Sequence, residues 1–505
     1  MKFHTRTISI IFSYLLLPAY MSAQTSPQQT AEAMAADPVF SQGIFSIYAM
    51  NGDGKTIVDV NGEKMLVPAS NMKLITTGSA LHSLGADFRF ETQIGYNGQI
   101  DDGTLYGDLY LIGGADPTLG SKDSIAVDIN MVFTQWEKML RKAGIRHIEG
   151  HIIGDGRWLD GMEEEETWLW NDIGTYYGTG VTGLMFYENM QSFNVSAGQK
   201  TGAAVEISPS YPECPWMEFT YDCSTGKAGS GDKLYMYTSS LTPKAVIRGT
   251  FGVDRARKRV DFSNKFPEYT CAVYFEKHLR KKGITCLKGA ADLKFCRNVS
   301  PCRKEDLHII GSTFSPSLER IVFQTNHASN NIFAETLLRT MGKTFRNSSC
   351  YDSSYVAIDA VLEHIVAGTS KGIRIQDGSG LSRQNLISPV FMCSFLKAMM
   401  DSPCHQEFQN SLPIPGGNGT LSYNMKNYPQ HIRSRIKVKS GSMNGVRCYS
   451  GYILPSGHEN MDAETVRKRT VIFSIMTNNC TSPNWKVRPL LDKMMACLTE
   501  TSQAI

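Results

Sequence analysis

The sequence predicts a multi-domain α+β protein: an antiparallel sheet with a helical lobe, interrupted by a large β-rich insert. Three observations predict it. Strand-like alternation stands near both ends of the chain, at Ile44 to Met50 and Thr56 to Val60, and again at Ile436 to Ser440, Val446 to Leu454 and Thr470 to Thr477. Between about Phe88 and Leu307 the texture changes to short alternating runs and Gly-rich turns, as in Gly103-Thr104-Leu105-Tyr106-Gly107-Asp108-Leu109-Tyr110. The chain has 505 residues, too many for one hydrophobic core.

Each element follows in order. The first 23 residues read as a secretory signal, with Lys2 and Arg6 ahead of an apolar run from Ile8 to Leu17 and Ser22-Ala23 before a cut at Gln24. Asn51-Gly52-Asp53-Gly54 turns the first two strands into a hairpin, which leads into a helix starting near Ser70 and stopping at Gly85, a C-cap. Helical patterns dominate from Pro316 to about Met400, and a final helix runs from about Trp485 to Cys497. The first hairpin and the last three strands can form one sheet closed by that helix. The expected domains are therefore residues 36–88 plus 308–505 as a discontinuous catalytic domain, and 89–307 as an insert of two subdomains.

Composition excludes several functions. The leader's apolar run is too short to span a bilayer, and no later stretch reaches the required length, so no membrane span is expected. Without Lys2 and Arg6, 49 basic residues face 48 acidic ones, which gives no reason to expect a nucleic-acid partner. The 12 cysteines are an even number that an oxidising compartment can pair, with Cys214/Cys223 and the group Cys286, Cys296, Cys302 the first candidates. Cys393 and Cys497, in apolar helical runs, fit buried free thiols equally well. There is no Cys-x-x-Cys and no His-Glu-x-x-His, so no metal or cofactor is expected. The 11 histidines show no triad spacing, which weakens a Ser-His-Asp hydrolase.

The chemistry is carried by Pro68-Ala69-Ser70-Asn71-Met72-Lys73-Leu74. Residues three apart on a helix are neighbours, so the Lys73 amine can reach Ser70 Oγ. A lysine shielded from water has a lowered pKa and can take the hydroxyl's proton. Ser-x-x-Lys recurs at Ser394/Lys397 and Ser434/Lys437, so spacing alone does not single out Ser70. Its company does: Ser-x-x-Lys, Ser-Asp-Asn and Lys-Thr-Gly form the set shared by class A β-lactamases and penicillin-binding proteins. Here the order is Ser70/Lys73, then Ser329-Asn330-Asn331, then Lys439-Ser440-Gly441-Ser442. Lys200-Thr201-Gly202 matches the third motif more literally, but it precedes Ser329 and lies in a turn, whereas Lys439 follows an alternating strand. Other conspicuous residues take plainer readings: Glu163 to Glu166 as a solvated acidic loop, and the six tryptophans mostly as core.

The chain resembles the class C low-molecular-mass penicillin-binding proteins, D-alanyl-D-alanine carboxypeptidases/endopeptidases of the DacB type. The likeness rests on the three motifs and on Gly113-Gly114-Ala115-Asp116-Pro117-Thr118-Leu119, Gly150-His151-Ile152-Ile153-Gly154-Asp155, Asp377-Gly378-Ser379-Gly380-Leu381-Ser382-Arg383, Gly419-Thr420-Leu421 and Ser450-Gly451-Tyr452, all in that family's order. Two positions depart from it, Ser440 where threonine is usual and Ala115 where glycine is usual. The resemblance implies a serine β-lactamase/transpeptidase-like catalytic domain in which Ser70 is the nucleophile and Lys73 its base. It also implies that Ser329 relays a proton, that Asn331 holds Lys73 and the substrate amide, and that Lys439, Ser440 and Ser442 bind the substrate's carboxylate. Gly441 would let substrate lie against the strand. Asp377-Gly378-Ser379-Gly380 would border the cleft. The implied partners are peptidoglycan peptides, with β-lactam antibiotics as inhibitors, in the periplasm; a homodimer is left open. The insert, tethered near the cleft at both ends, is expected to wall the substrate's stem while Ser70 and Lys73 stay with the main sheet. The rival readings are a β-lactamase-like hydrolase, for which no Glu-x-x-Leu-Asn element is seen, and a non-catalytic wall-binding module, which would have lost Ser70, Lys73 or Lys439.

Overall fold

The computed structural model describes residues 26–296, 299, 301–366 and 371–502. The leader expected over 1–23 lies outside the described residues. The strands from the two chain ends pair into one five-stranded antiparallel sheet, in the order Thr56–Val60, Ile44–Asn51, Val471–Asn478, Val446–Ile453, Ile436–Met443. Alternation gives each face of the sheet its own partner. Phe45, Ile47 and Ala49, with Phe473, Ile475 and Ile453, pack against the helices Pro27–Ala35 and Asn484–Thr501. Met50, Ile472, Met476, Cys448 and Tyr452 point the other way, into the helical lobe. A one-residue slip in register would exchange the two sets, so burial on both faces fixes the pairing.

The helix Met72–Leu84 runs through the middle of that lobe, buried from Met72 to Leu81 and surrounded by Leu318–Ala328, Asn331–Arg346, Tyr351–Ile365 and Pro389–Met400. It ends as expected at Gly85, which has a φ of 87° and donates its N–H to the Leu81 carbonyl. A helix buried on every side belongs in a core, and its polar members Lys73, Thr76 and Thr77 are hydrogen-bonded there.

The insert is organised around a five-stranded sheet, Ala290–Asp292, Ile152–Asp155, Leu109–Ile112, Glu91–Tyr96 and His308–Phe314. The last strand pairs antiparallel with Glu91–Tyr96, so residues 308–314, placed with the catalytic part by sequence, are hydrogen-bonded into the sheet of the insert. Two long helices absent from the strand-rich expectation, Ile129–Lys142 and Pro267–Lys281, contribute Phe133, Trp136, Leu140, Phe275 and Leu279 to its core. Each spans only 14 or 15 residues between short strands and turns, which hid it. A second core gathers Phe193, Val195, Met236, Ile247 and Phe251.

Two further expectations are corrected. All twelve cysteines are free thiols, including Cys214, Cys223, Cys286, Cys296 and Cys302. Cys223 Sγ faces the Ile247 carbonyl and Cys214 Sγ faces Thr270, so each behaves as a small core residue. Three of the four acids are not solvated: Glu163, Glu164 and Glu165 are 5%, 7% and 4% exposed, and Glu166 alone is exposed as expected. Lys294 pairs with Glu163 and Lys265 with Glu164 at 2.8 Å, while Glu165 accepts from the Thr167 N–H at 2.6 Å. The lysines lie about a hundred residues further along the chain, beyond the reach of any local pattern. The tryptophans divide, with Trp136 and Trp168 buried and Trp170 and Trp485 exposed.

Candidate active site

The site lies where the helical lobe meets the edge strand Ile436–Met443. Ser70 sits in a single 3₁₀ turn, Ala69–Asn71, that feeds directly into Met72–Leu84. Ala69 is held at a φ of 47°, a strained value for a residue with a side chain. Asn71 ties the turn to the sheet by donating to Ser450 Oγ at 2.7 Å, and Ser450 in turn donates to Ser474 Oγ at 2.9 Å. The edge strand comes so close that a Cβ on Gly441 would lie 2.5 Å from the Pro68 carbonyl oxygen. Gly441 is therefore required by the protein's own packing against the Ala69–Asn71 turn, a different reason from the substrate clearance expected.

Lys73 is fully buried and its three N–H donors are all used. It donates to Ser70 Oγ at 3.3 Å, to Asn331 Oδ1 at 2.6 Å and to the Ser379 carbonyl at 2.7 Å. The Asp377–Gly380 loop is thus part of the site. Asp377 shapes it by accepting from the Gly380 N–H and Asn385 Nδ2, both at 2.7 Å, and from Trp168 Nε1 at 2.9 Å. Gly380, at φ 84°, abuts the Ala69 carbonyl, where a Cβ would come within 1.8 Å. Beneath the loop, Glu335 accepts from the Ser379 N–H at 2.7 Å and the Gly378 N–H at 3.1 Å.

Lys439, also fully buried, donates to Ser329 Oγ at 2.9 Å and to the Ser440 carbonyl at 2.9 Å. Ser329 takes the left-handed conformation, φ 57°, between the helices Leu318–Ala328 and Asn331–Arg346. Asn330 caps the second helix by accepting from the Phe333 N–H at 3.2 Å. Ser440 Oγ lies 3.4 Å from Thr420 Oγ1, and Ser442 Oγ accepts from Arg447. The predicted residues therefore meet as two joined clusters, Ser70/Lys73/Asn331 and Ser329/Lys439/Ser440, with Gly441 and Ser442 continuing the strand.

The electrostatics of the two lysines differ. Burial pushes Lys73 down to about 7, against the opposing pull of Asp377 and then Glu335. Burial and the charge of Lys73 push Lys439 well below its ordinary value, with no carboxylate to oppose them. Burial, reinforced by Asp377, raises Glu335 to about 8.

The decoy motifs lie elsewhere. Ser394 and Lys397 are on the helix Pro389–Met400, where Ser394 Oγ donates to the Val390 carbonyl, and Ser434 is exposed at the end of the helix Gln430–Arg433. Lys200 is exposed in a turn. The insert's share of the site has no signature in the sequence. Asn331 Nδ2 donates to the Tyr177 carbonyl at 2.9 Å, Asn330 Nδ2 to Glu188 Oε2 at 2.8 Å, and Trp168 reaches Asp377. The insert is hydrogen-bonded into the catalytic clusters as well as standing beside them. No local signal marks a backbone carbonyl as a ligand.

The sheet, the helical lobe and a serine and lysine one turn apart at their junction define a serine β-lactamase/transpeptidase-like enzyme fold. Residues 28–500 match the D-Ala-D-Ala carboxypeptidase 3 (S13) family, and the chain belongs to that family. A D-alanyl-D-alanine carboxypeptidase from an Actinomadura species is 26% identical over 485 residues, covering 91% of this chain and 82% of its own length. The D-alanyl-D-alanine carboxypeptidase DacB of Haemophilus influenzae is 23% identical over 445 residues, covering 84% and 87%. The crystal structure of penicillin binding protein 4 from that organism superposes with a TM-score of 0.76 at 20% identity, covering 92% of this chain and 97% of the other.

Proposed function

We propose that this protein is a penicillin-sensitive serine D-Ala-D-Ala carboxypeptidase and/or endopeptidase that acts on peptidoglycan stem peptides through an acyl-enzyme on Ser70. The observation that carries this reading is a buried amine with a pKa of about 7 placed 3.3 Å from a serine hydroxyl. Near neutral pH such an amine both accepts a proton and returns it.

Ser70 Oγ attacks the carbonyl carbon of the penultimate D-Ala, and its proton passes to Lys73 Nζ. The oxyanion is held by the backbone N–H groups of Ser70 and Ser442, where the loss of one donor costs about 2.7–4 kcal/mol. The C–N bond then breaks. The proton held on Lys73 Nζ is relayed through Ser329, which is in contact with Lys439, to the departing amine, so that Lys73 and Ser329 both end the step as they began it. Water attacks the ester, releases the shortened peptide and returns the proton to Ser70. Lys439, with Ser440 and Ser442, receives the terminal carboxylate. A β-lactam carries an equivalent carbonyl and carboxylate and acylates the same serine. We assign residues 36–88 and 308–505 to the catalytic domain and 89–307 to the insert, with the strand His308–Phe314 joining the two by its pairing into the insert's sheet, and place the protein in the periplasm after removal of the leader. Among the described residues no helix is long and apolar enough to cross a membrane.

The test is digestion of purified muropeptides together with a free peptide ending in D-Ala-D-Ala. Release of D-Ala and conversion of cross-linked dimers to monomers, both abolished by penicillin, is the expected result. Folded, penicillin-labelled protein that releases neither product would overturn the proposal.

A further inference from the structure

We propose that Lys265 of the insert is a positioning residue: by pinning the Tyr177–Thr179 backbone it sets which end of the Asn331 amide faces Lys73. This rests on the reading of Lys73 as the base. Lys265 is 0% exposed and lies 88 residues from the Tyr177 carbonyl in sequence. It pairs with Glu164 at 2.8 Å and donates to the carbonyls of Thr179 at 3.1 Å and Gly178 at 3.4 Å. An ammonium buried this completely persists only where charge and acceptors surround it. The pairing is mutual: although burial opposes ionisation of Glu164, Lys265 holds its carboxylate below the ordinary value.

The pinned run has one further acceptor. The peptide unit between Tyr177 and Gly178 is fixed on its N–H side by the Thr175 carbonyl at 3.2 Å, and Gly180 beyond it accepts from Asn189 Nδ2 at 3.0 Å. The Tyr177 carbonyl therefore points steadily at Asn331 Nδ2, 2.9 Å away. A carbonyl oxygen can only accept, so it must face the amide's NH₂, and Oδ1 is left to face Lys73 at 2.6 Å. Released from Tyr177, the amide could turn and present NH₂ to Lys73, a donor against a donor.

The test is a double-variant cycle on the full-length protein. Lys265→Met and Asn331→Ala are made singly and together, and acylation by a fluorescent penicillin is followed against pH, normalised to the folded protein that can be labelled. Misplacing a reacting group costs up to about a hundredfold, so Lys265→Met should lower the plateau rate by about tenfold or more. In the Asn331→Ala background the same change should cost less than about twofold, because the two act through one contact. The acidic limb of Lys265→Met should also move to lower pH, since Asn331 Oδ1 favours the ammonium form. Should the unpaired Glu164 prevent folding, Lys265→Met combined with Glu164→Gln removes both charges and enters the same cycle. Losses that multiply independently, or a rate drop with an unmoved limb, would show that Lys265 acts only on stability and overturn the proposal. Full acylation by Asn331→Ala would instead overturn the reading of the base site.

Discussion

Lys73 on the helical lobe and Lys439 on the edge strand are the same residue at the same depth, both 0% exposed, yet they sit in opposite electrostatic settings. Lys73 has three acceptors and lies near Asp377 and Glu335, which temper the effect of burial and leave it at about 7. Lys439 has a hydroxyl, its neighbour's carbonyl and another cation nearby. Placement of negative charge therefore separates the two roles. In the proposed mechanism the lysine with built-in carboxylates exchanges a proton, and the one without them is completed by an anion that arrives with the substrate.

The largest expected effect comes from removing the poised amine. Lys73→Met should lower penicillin acylation by about 10²–10⁴-fold, the usual worth of a general base, with the helix intact by circular dichroism. Lys439→Ala comes next. Losing a charge-assisted contact of about 1.5–3 kcal/mol should cost roughly tenfold to a hundredfold in kcat/KM for peptides ending in a free carboxylate. Lys200→Ala should stay within about twofold of the parent, as expected for an exposed side chain remote from any such feature. Equal losses from Lys439→Ala and Lys200→Ala would abolish the distinction between anchor and bystander.

Asp377→Asn sharpens the comparison through pH. Asp377 raises the pKa of Lys73, so its removal lowers that pKa, leaves the amine neutral at lower pH and should shift the acidic limb of acylation downward from about 7. An unmoved limb would separate Asp377 from the base. The smallest effect lies in the insert. Ala115 holds a φ of 61°, so Ala115→Gly should stabilise the protein by about 0.5–1 kcal/mol in thermal unfolding and leave acylation unchanged.

The sheet was legible because alternation with period two is written into Ile44–Asn51 and Val471–Asn478, and both faces of each strand are buried. Ser70, Lys73, Ser329, Asn331 and Lys439 were legible as types at fixed spacings in a fixed order, and the fold brings them together. The order rejected Lys200, which local spelling favoured. The supporting layer was not legible. Glu164 reads as one of four consecutive acids until Lys265, 101 positions away, is seen beside it. Tyr177 contributes a carbonyl, which carries no residue signature. The helix Ile129–Lys142 was lost because turns flank it closely. Spacing along the chain reveals groups that share a helix turn or a strand, whereas contacts between the insert and the lobe depend on the whole topology.

The most direct test of the account is to label the protein with penicillin near neutral pH, digest it and locate the modified residue by mass spectrometry. The expected result is one adduct, on the peptide containing Ser70, lost in Ser70→Ala and strongly slowed in Lys73→Met. An adduct on the Ser394 or Ser434 peptide, or labelling that persists in Ser70→Ala, would contradict it.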